Sequence, residues 1–169
     1  SHRLKDMQTG NGFDENITFG PLIDDAAVEK VKDHIADAVS HGAKVISGGA
    51  PHPLGGLFFE PTILTDVTSA MKVAREETFG PVAPIFRFET EEEVLSQAND
   101  SDFGLAAYVY TRDLARTFRF SEALAYGMVG VNTGLISTAE APFGGIKKSG
   151  LGREGSRYGL EDFMELKYI

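Results

Sequence analysis

The sequence predicts an α/β fold with a largely parallel sheet flanked by helices. Three observations carry this. Short apolar strands alternate with helices between residues 24 and 131, the order that a parallel sheet with helical crossovers requires. The helical stretches carry their own start and stop residues. At 169 residues, with 42% apolar and 24% charged, the chain can bury roughly 70% of its unfolded surface, and its composition is that of a globular protein.

Residues 10–23 read as loop, broken by Gly10, Asn11, Gly12, Gly20 and Pro21. A helix follows from Asp24 to His41. Asp24 and Asp25 supply an N-cap and an acidic first turn, and Val28, Val31, Ile35, Ala38 and Val39 form one apolar face. Gly42 stops it. Lys44–Ser47 is a short strand, and residues 50–57 are a Pro/Gly-rich loop. Phe58–Leu64 is extended, and Pro61 within it points to an edge strand rather than a central one. Ser69–Ala74 suits a helical turn and Val82–Phe88 a strand. Thr90 with Glu93 forms a capping box that opens a helix to about Ala98. Asn99–Gly104 is a turn and Leu105–Tyr110 an aromatic-rich strand. Asp113 caps a helix to about Tyr126, with Leu114, Phe118 and Leu124 as core positions. Met128–Val131 is another buried strand.

From Asn132 to Arg157 the chain turns irregular and glycine-rich. A long structured loop of this kind in a compact domain is uncommon and tends to be functional. Residues 163–169 close the chain as a half-buried strand, with Met164, Leu166 and Tyr168 alternating with Glu165 and Lys167.

The charge balance narrows the partners. Sixteen basic against 25 acidic residues leave a net charge of −9, which argues against a nucleic acid or an anionic membrane. There is no cysteine, so no disulfide, thiolate metal site or cysteine nucleophile lies within the chain. No apolar run approaches the ~20 residues of a membrane span. The polar start, Ser1 to Asp6, lacks the apolar core of a signal peptide. Ser rather than Met at position 1 fits a chain cut from something longer, and Ser1-His2 is compatible with an appended remnant.

Several motifs fail on inspection. Gly150-Leu151-Gly152-Arg153-Glu154-Gly155 has the letters of a dinucleotide fingerprint. It does not follow a strand or open a helix, and no acidic residue follows at about 20 residues. A tightly turned loop is the better reading. The four histidines, His2, His34, His41 and His52, lack metal-ligand spacing. His34 and His41 read as solvated on the outer side of the first helix. Asn99-Asp100-Ser101-Asp102 starts like a calcium loop, but Phe103 sits where a ligand is needed, so it is a turn. Glu91–Glu93 is an acidic helix N-terminus. No complete catalytic constellation is present.

Three stretches add a further reading. They are Glu76-Glu77-Thr78-Phe79-Gly80-Pro81-Val82, Gly130-Val131-Asn132, and Pro142-Phe143-Gly144-Gly145-Ile146-Lys147-Lys148-Ser149-Gly150-Leu151-Gly152-Arg153-Glu154. In this order and spacing the chain resembles the C-terminal part of the aldehyde dehydrogenase superfamily. Gly10-Asn11-Gly12-Phe13 and Phe19-Gly20-Pro21-Leu22 extend the resemblance to the start, and Glu165-Leu166-Lys167 to the end. Each motif is modest alone; together they are specific. Asn132–Ser137 followed by Pro142–Gly145, with Gly159–Asp162 and Glu165–Tyr168, is similar to the succinate-semialdehyde dehydrogenase branch.

The resemblance implies NAD⁺- or NADP⁺-dependent oxidation of an aldehyde to a carboxylic acid. A cysteine thiolate attacks the carbonyl, hydride passes to the nicotinamide, and a glutamate base activates the hydrolytic water. It also implies that the cysteine, the base and the cofactor domain lie upstream of Ser1, so that the chain by itself is inactive. Residues 1–162 then correspond to the later part of the catalytic domain and residues 163–169 to an oligomerisation strand that pairs with another subunit. Glu77 matches a carboxylate that hydrogen-bonds the nicotinamide ribose, and Phe79 an aromatic near the nicotinamide; Glu76 is adjacent and secondary. Asn132 matches a strand-end residue bordering the site and Phe143 a wall of the substrate tunnel. Ser137 matches a serine that helps bind the distal carboxylate of the substrate, alongside arginines upstream. Arg153 and Glu154 read as structural. The implied partners are a small aldehyde and other copies of the chain, with neither nucleic acid nor membrane, in the cytoplasm (the mitochondrial matrix for a eukaryotic source). The alternatives are a relative acting on glutarate semialdehyde or an uncharged aliphatic aldehyde, and a non-catalytic assembly module.

Overall fold

The computed structural model describes residues 3–169. Ser1 and His2, with the readings that fall on them, lie outside the described residues. The chain divides into two compact units, one running to Arg87 and the other from Phe88 to Ile169.

The first unit is organised around helix α1, Asp25–Ser40. Asp24 caps it, its Oδ1 accepting from the Ala27 N–H at 2.8 Å. Short strands β1 (Gln8–Thr9) and β2 (Ile17–Phe19) pair in parallel ahead of it. After α1 come β3 (Lys44–Ser47), β4 (Thr62–Thr65), the single-turn helix α2 (Lys72–Arg75) and β5 (Val82–Pro84). These three strands form one sheet in the order β3-β4-β5, antiparallel on one side of β4 and parallel on the other.

β4 is therefore central, not an edge strand. Pro61 stands one residue before it, so the missing proline N–H removes no ladder bond. The strand instead opens with the Thr62 N–H donating to Pro81 O at 2.8 Å. β5 stops at Pro84, shorter than the predicted Val82–Phe88, although the Ile85 N–H still reaches Leu64 O at 2.9 Å. Val28, Val31, Ile35 and Ala38 pack on Phe59, Leu64, Val67, Met71 and Val73 as the core. Val39 lies outside that core and is exposed. His34, predicted to be solvated, is fully buried at 0% exposure, whereas His41 is exposed.

The second unit contains α3 (Glu91–Asn99), β6 (Phe103–Gly104), β7 (Ala106–Val109), α4 (Leu114–Ala123), β8 (Met128–Val131) and β9 (Ile146–Lys147), and a 3₁₀ turn at Tyr158–Phe163. β7 and β8 pair in parallel, with Ala106 opposite Met128 and Val109 opposite Val131, and β6 pairs antiparallel with β9. The α/β class holds. The described strands, however, fall into four small sheets with both parallel and antiparallel pairs, not one largely parallel sheet.

Both predicted caps form: Thr90 Oγ1 accepts from the Glu93 N–H and Asp113 Oδ1 from the Arg116 N–H. The return bond of the capping box goes to the Glu89 N–H, one residue before the cap. Both helices carry a network, since Glu91 accepts from Arg116 Nε at 2.6 Å and from Arg119 Nη2 at 2.9 Å. α4 ends at Ala123, three residues short of the predicted Tyr126. Asn99 holds that end, donating to Ala123 O at 2.9 Å and accepting from the Ala125 N–H at 2.8 Å.

The hydrophobic interior of this unit is thin. Leu124 and Val109 are buried, but Leu114 and Phe118, four residues apart on one face of α4, are exposed against expectation. β8 is half-buried apart from the buried Gly130. Residues 164–169 are extended at their start, with Met164 at φ −124° and ψ 149°. They form no strand and bury nothing among the described residues, so the predicted half-buried strand is not formed within them.

Candidate active site

The Glu76–Gly80 segment leaves α2 with Glu76 extended, at φ −111° and ψ 138°, and meets α1 through Glu76, Thr78 and Gly80. α2 is itself tied down, because the Lys72 N–H donates to Asp37 Oδ2 and Lys72 Nζ to Asp33 Oδ2, both at 2.8 Å. This pairing lowers the Asp33 pKa and raises that of Lys72, chiefly through the hydrogen bond they share. Beyond it, Glu76 Oε2 lies 3.3 Å from His34 Nε2 and Thr78 Oγ1 lies 3.0 Å from His34 Nδ1. Gly80 follows against Val31: a Cβ there would sit 2.5 Å from Val31 Cγ2, so only glycine fits.

Glu76 and Thr78 reach His34 on α1, whereas Glu77 and Phe79 are exposed. Glu77 is exposed and bonds to nothing among the described residues. Phe79 is 81% exposed and sits at φ +45°. For a bulky side chain that backbone costs about 1–3 kcal/mol, and such strain concentrates at functional sites. The two residues matched to a cofactor are thus both open to solvent, two positions apart in the sequence. A partner-free carboxylate that can accept from two hydroxyls, beside an open aromatic ring, fits a ribose and the planar base attached to it.

The other three candidates lie in the second unit. Asn132 ends β8 at φ +54°, a conformation that asparagine tolerates better than most residues. Its backbone N–H donates to Val109 O, its Oδ1 accepts from the Thr111 N–H at 2.9 Å, and its Nδ2 donates to Thr111 O at 2.8 Å. The carboxamide therefore continues the β7–β8 ladder by one more rung. Ser137 is exposed on the loop, and its hydroxyl has no partner among the described residues. Phe143 is half-buried and forms a two-bond bridge with Glu154, at 2.8 and 2.7 Å.

A cleft of about 690 Å³ lies beside that bridge, lined by Leu105, Phe143, Gly145, Leu151, Leu160 and Phe163. Arg153 holds the loop as expected, donating from Nη1 to Gly145 O and Gly152 O and from its backbone N–H to Asp162 Oδ2. Gly150 and Gly152 sit at φ +106° and +82° in a turned stretch that does not open a helix directly. No cluster of three or more metal-ligating side chains occurs among the described residues. Nor is any helix among them long and apolar enough to cross a membrane.

Sequence reasoning missed His34 and Thr78. A signal for His34 existed: it lies three residues after Val31 and four before Ala38, on the apolar stripe itself.

An aldehyde dehydrogenase family model matches residues 1–169, and the chain belongs to that family. It is 64% identical over 163 residues to a glutarate-semialdehyde dehydrogenase of Pseudomonas aeruginosa, covering 96% of this chain and 34% of that protein. It is 61% identical to a succinate-semialdehyde dehydrogenase [NADP(+)] of Escherichia coli, with the same coverage. Among solved structures, an NADP-dependent enzyme of E. coli superimposes with a TM-score of 0.97 at 60% identity, over 99% of this chain and 35% of the other. The chain thus spans about a third of the length of these relatives.

Proposed function

We propose that the chain is the C-terminal part of an NAD(P)⁺-dependent semialdehyde dehydrogenase, which oxidises succinate semialdehyde or a similar semialdehyde to the acid. The observation that carries this is the Glu77–Phe79 pair, an unpaired carboxylate and a strained, open aromatic ring two positions apart on one segment. A bound dinucleotide would supply the hydride acceptor for this oxidation. What this chain contributes is the grip. The Glu77 carboxylate accepts from ribose hydroxyls and Phe79 packs on the nicotinamide end. Because there is no cysteine in the sequence, a thiolate nucleophile must come from outside this chain, and the chain alone is inactive.

Ser137, with its free hydroxyl, donates to the distal carboxylate of the substrate. Phe143 forms part of the substrate wall, and Asn132 fixes the strand end at the border of the site. Both relatives named above act on semialdehydes that end in a carboxylate, which supports an anionic substrate. The higher identity to the glutarate enzyme keeps glutarate semialdehyde as the second reading. The exposed residues 163–169 pair as an edge strand with another subunit.

The test is Glu77→Ala in the intact enzyme. A severalfold loss of NAD(P)⁺ affinity supports the reading and wild-type affinity refutes it. NAD(P)H formation from succinate semialdehyde by the isolated chain would refute the inactivity.

A further inference from the structure

We infer that His34 is a positioning residue for the cofactor: its buried imidazole clamps the residues on both sides of Glu77, so that the carboxylate is presented outward. This rests on the cofactor reading above. The two ring nitrogens reach 42 and 44 residues along the chain, and both contacts fall on one segment, at Glu76 and at Thr78. An imidazole that only needed its hydrogen bonds satisfied would have no requirement for partners flanking a single residue. Here the two anchors are the two chain neighbours of Glu77, so holding both restricts the backbone torsions that decide where the residue between them points.

Gly80 packs against Val31 one step on, and Phe79 before it is exposed at φ +45°. The post is rigid, because His34 sits at 0% exposure on the stripe between Val31, Ile35 and Ala38. A clamp of this kind lowers the ordering cost of binding. Glu77 touches the ligand; His34 does not, and acts only through Glu76 and Thr78.

The experiment uses the intact enzyme that contains this chain, with two readouts other than turnover. They are dinucleotide affinity, from reduced-cofactor fluorescence, and amide exchange across residues 76–80. His34→Ala and Thr78→Val are compared with Glu77→Ala, and His34→Asn retains a polar atom near the Nδ1 position. The expected result is a five- to tenfold weaker affinity in His34→Ala and Thr78→Val, about the effect of one lost hydrogen bond. Faster exchange confined to residues 76–80 accompanies it, and His34→Asn restores affinity in part.

If His34→Ala fails to fold, Thr78→Val, which keeps the side-chain volume, carries the test. Wild-type affinity and exchange in Thr78→Val, with affinity lost in Glu77→Ala, would overturn the clamp and leave the cofactor reading standing. Wild-type affinity in Glu77→Ala would overturn both.

Discussion

The Nδ1 atom of His34 lies 3.0 Å from the hydroxyl oxygen of Thr78, joining the buried face of the first long helix to the segment that carries Glu77 and Phe79. The fold thereby converts a helix core position into control over two exposed residues. Helix α1 sets the height of the segment through His34 and Val31, and the parallel pairing of β4 with β5 sets where it ends.

Gly80→Ala follows directly from that arrangement. The added methyl meets Val31 Cγ2 at 2.5 Å, and Val31 is fully buried, so neither side can yield without cost. We expect destabilisation of about 1–3 kcal/mol, read as a lower urea midpoint. Val31→Ala in the same chain opens the space, so the double variant should lose less than the sum of the two single ones. Additive losses would refute the contact.

The network at Glu91 gives a pH prediction. Hydrogen bonds from Arg116 and Arg119 hold the Glu91 carboxyl below its ordinary value. A depressed folded-state pKa means that the stabilising contribution is full above the unfolded value of about 4.3 and is lost as pH falls through the folded value. The urea midpoint of wild type should exceed that of Glu91→Gln at pH 7. The gap should narrow as pH drops below about 4, again with reference to the ordinary carboxylate value. A gap that stays constant down to pH 3 would show that the ion pairs do not couple to folding.

Local chemistry was the legible part of this fold. Asp24, Thr90 and Asp113 each form the predicted cap, because a cap depends on residues three apart. Long-range arrangement was not legible. Pro61 suggested an edge strand, yet the sheet begins one residue later and places Thr62 and Leu64 at its centre. His34 shares the spacing of the core stripe, but its burial depends on polar partners more than forty residues away, which periodicity does not report. Leu114 and Phe118 have the right period for a core, yet both stay exposed among the described residues. The site candidates were legible only through family resemblance: composition and spacing alone read Glu77 as one more surface carboxylate.

Ser137→Ala separates substrate recognition from general loop integrity. Ser137 is exposed and its hydroxyl is unused within the described residues, so the substitution disturbs no internal bond. In the intact enzyme KM for a carboxylated aldehyde should rise about 10- to 100-fold, the effect of one hydrogen bond to a charged group. KM for an uncharged aliphatic aldehyde should stay at its wild-type value. Equal effects on both substrates would remove the carboxylate role.

Asn132 offers the sharpest test of the strand end. Its carboxamide accepts from the Thr111 N–H and donates to Thr111 O at once, at 2.9 and 2.8 Å. Only an amide has both polarities at that spacing. Asn132→Asp keeps the acceptor and tolerates the φ of +54°, but it sets a carboxylate oxygen against the Thr111 carbonyl. Asn132→Gly relieves the backbone and loses both bonds. Asp should therefore cost more than Gly, about 1–3 kcal/mol against about 1 kcal/mol, although it resembles asparagine more closely in shape. Amide exchange should place the damage at Thr111 and the end of β7 rather than across the loop. If Asn132→Asp is as stable as wild type, the two-sided bridge to Thr111 does not hold the strand end.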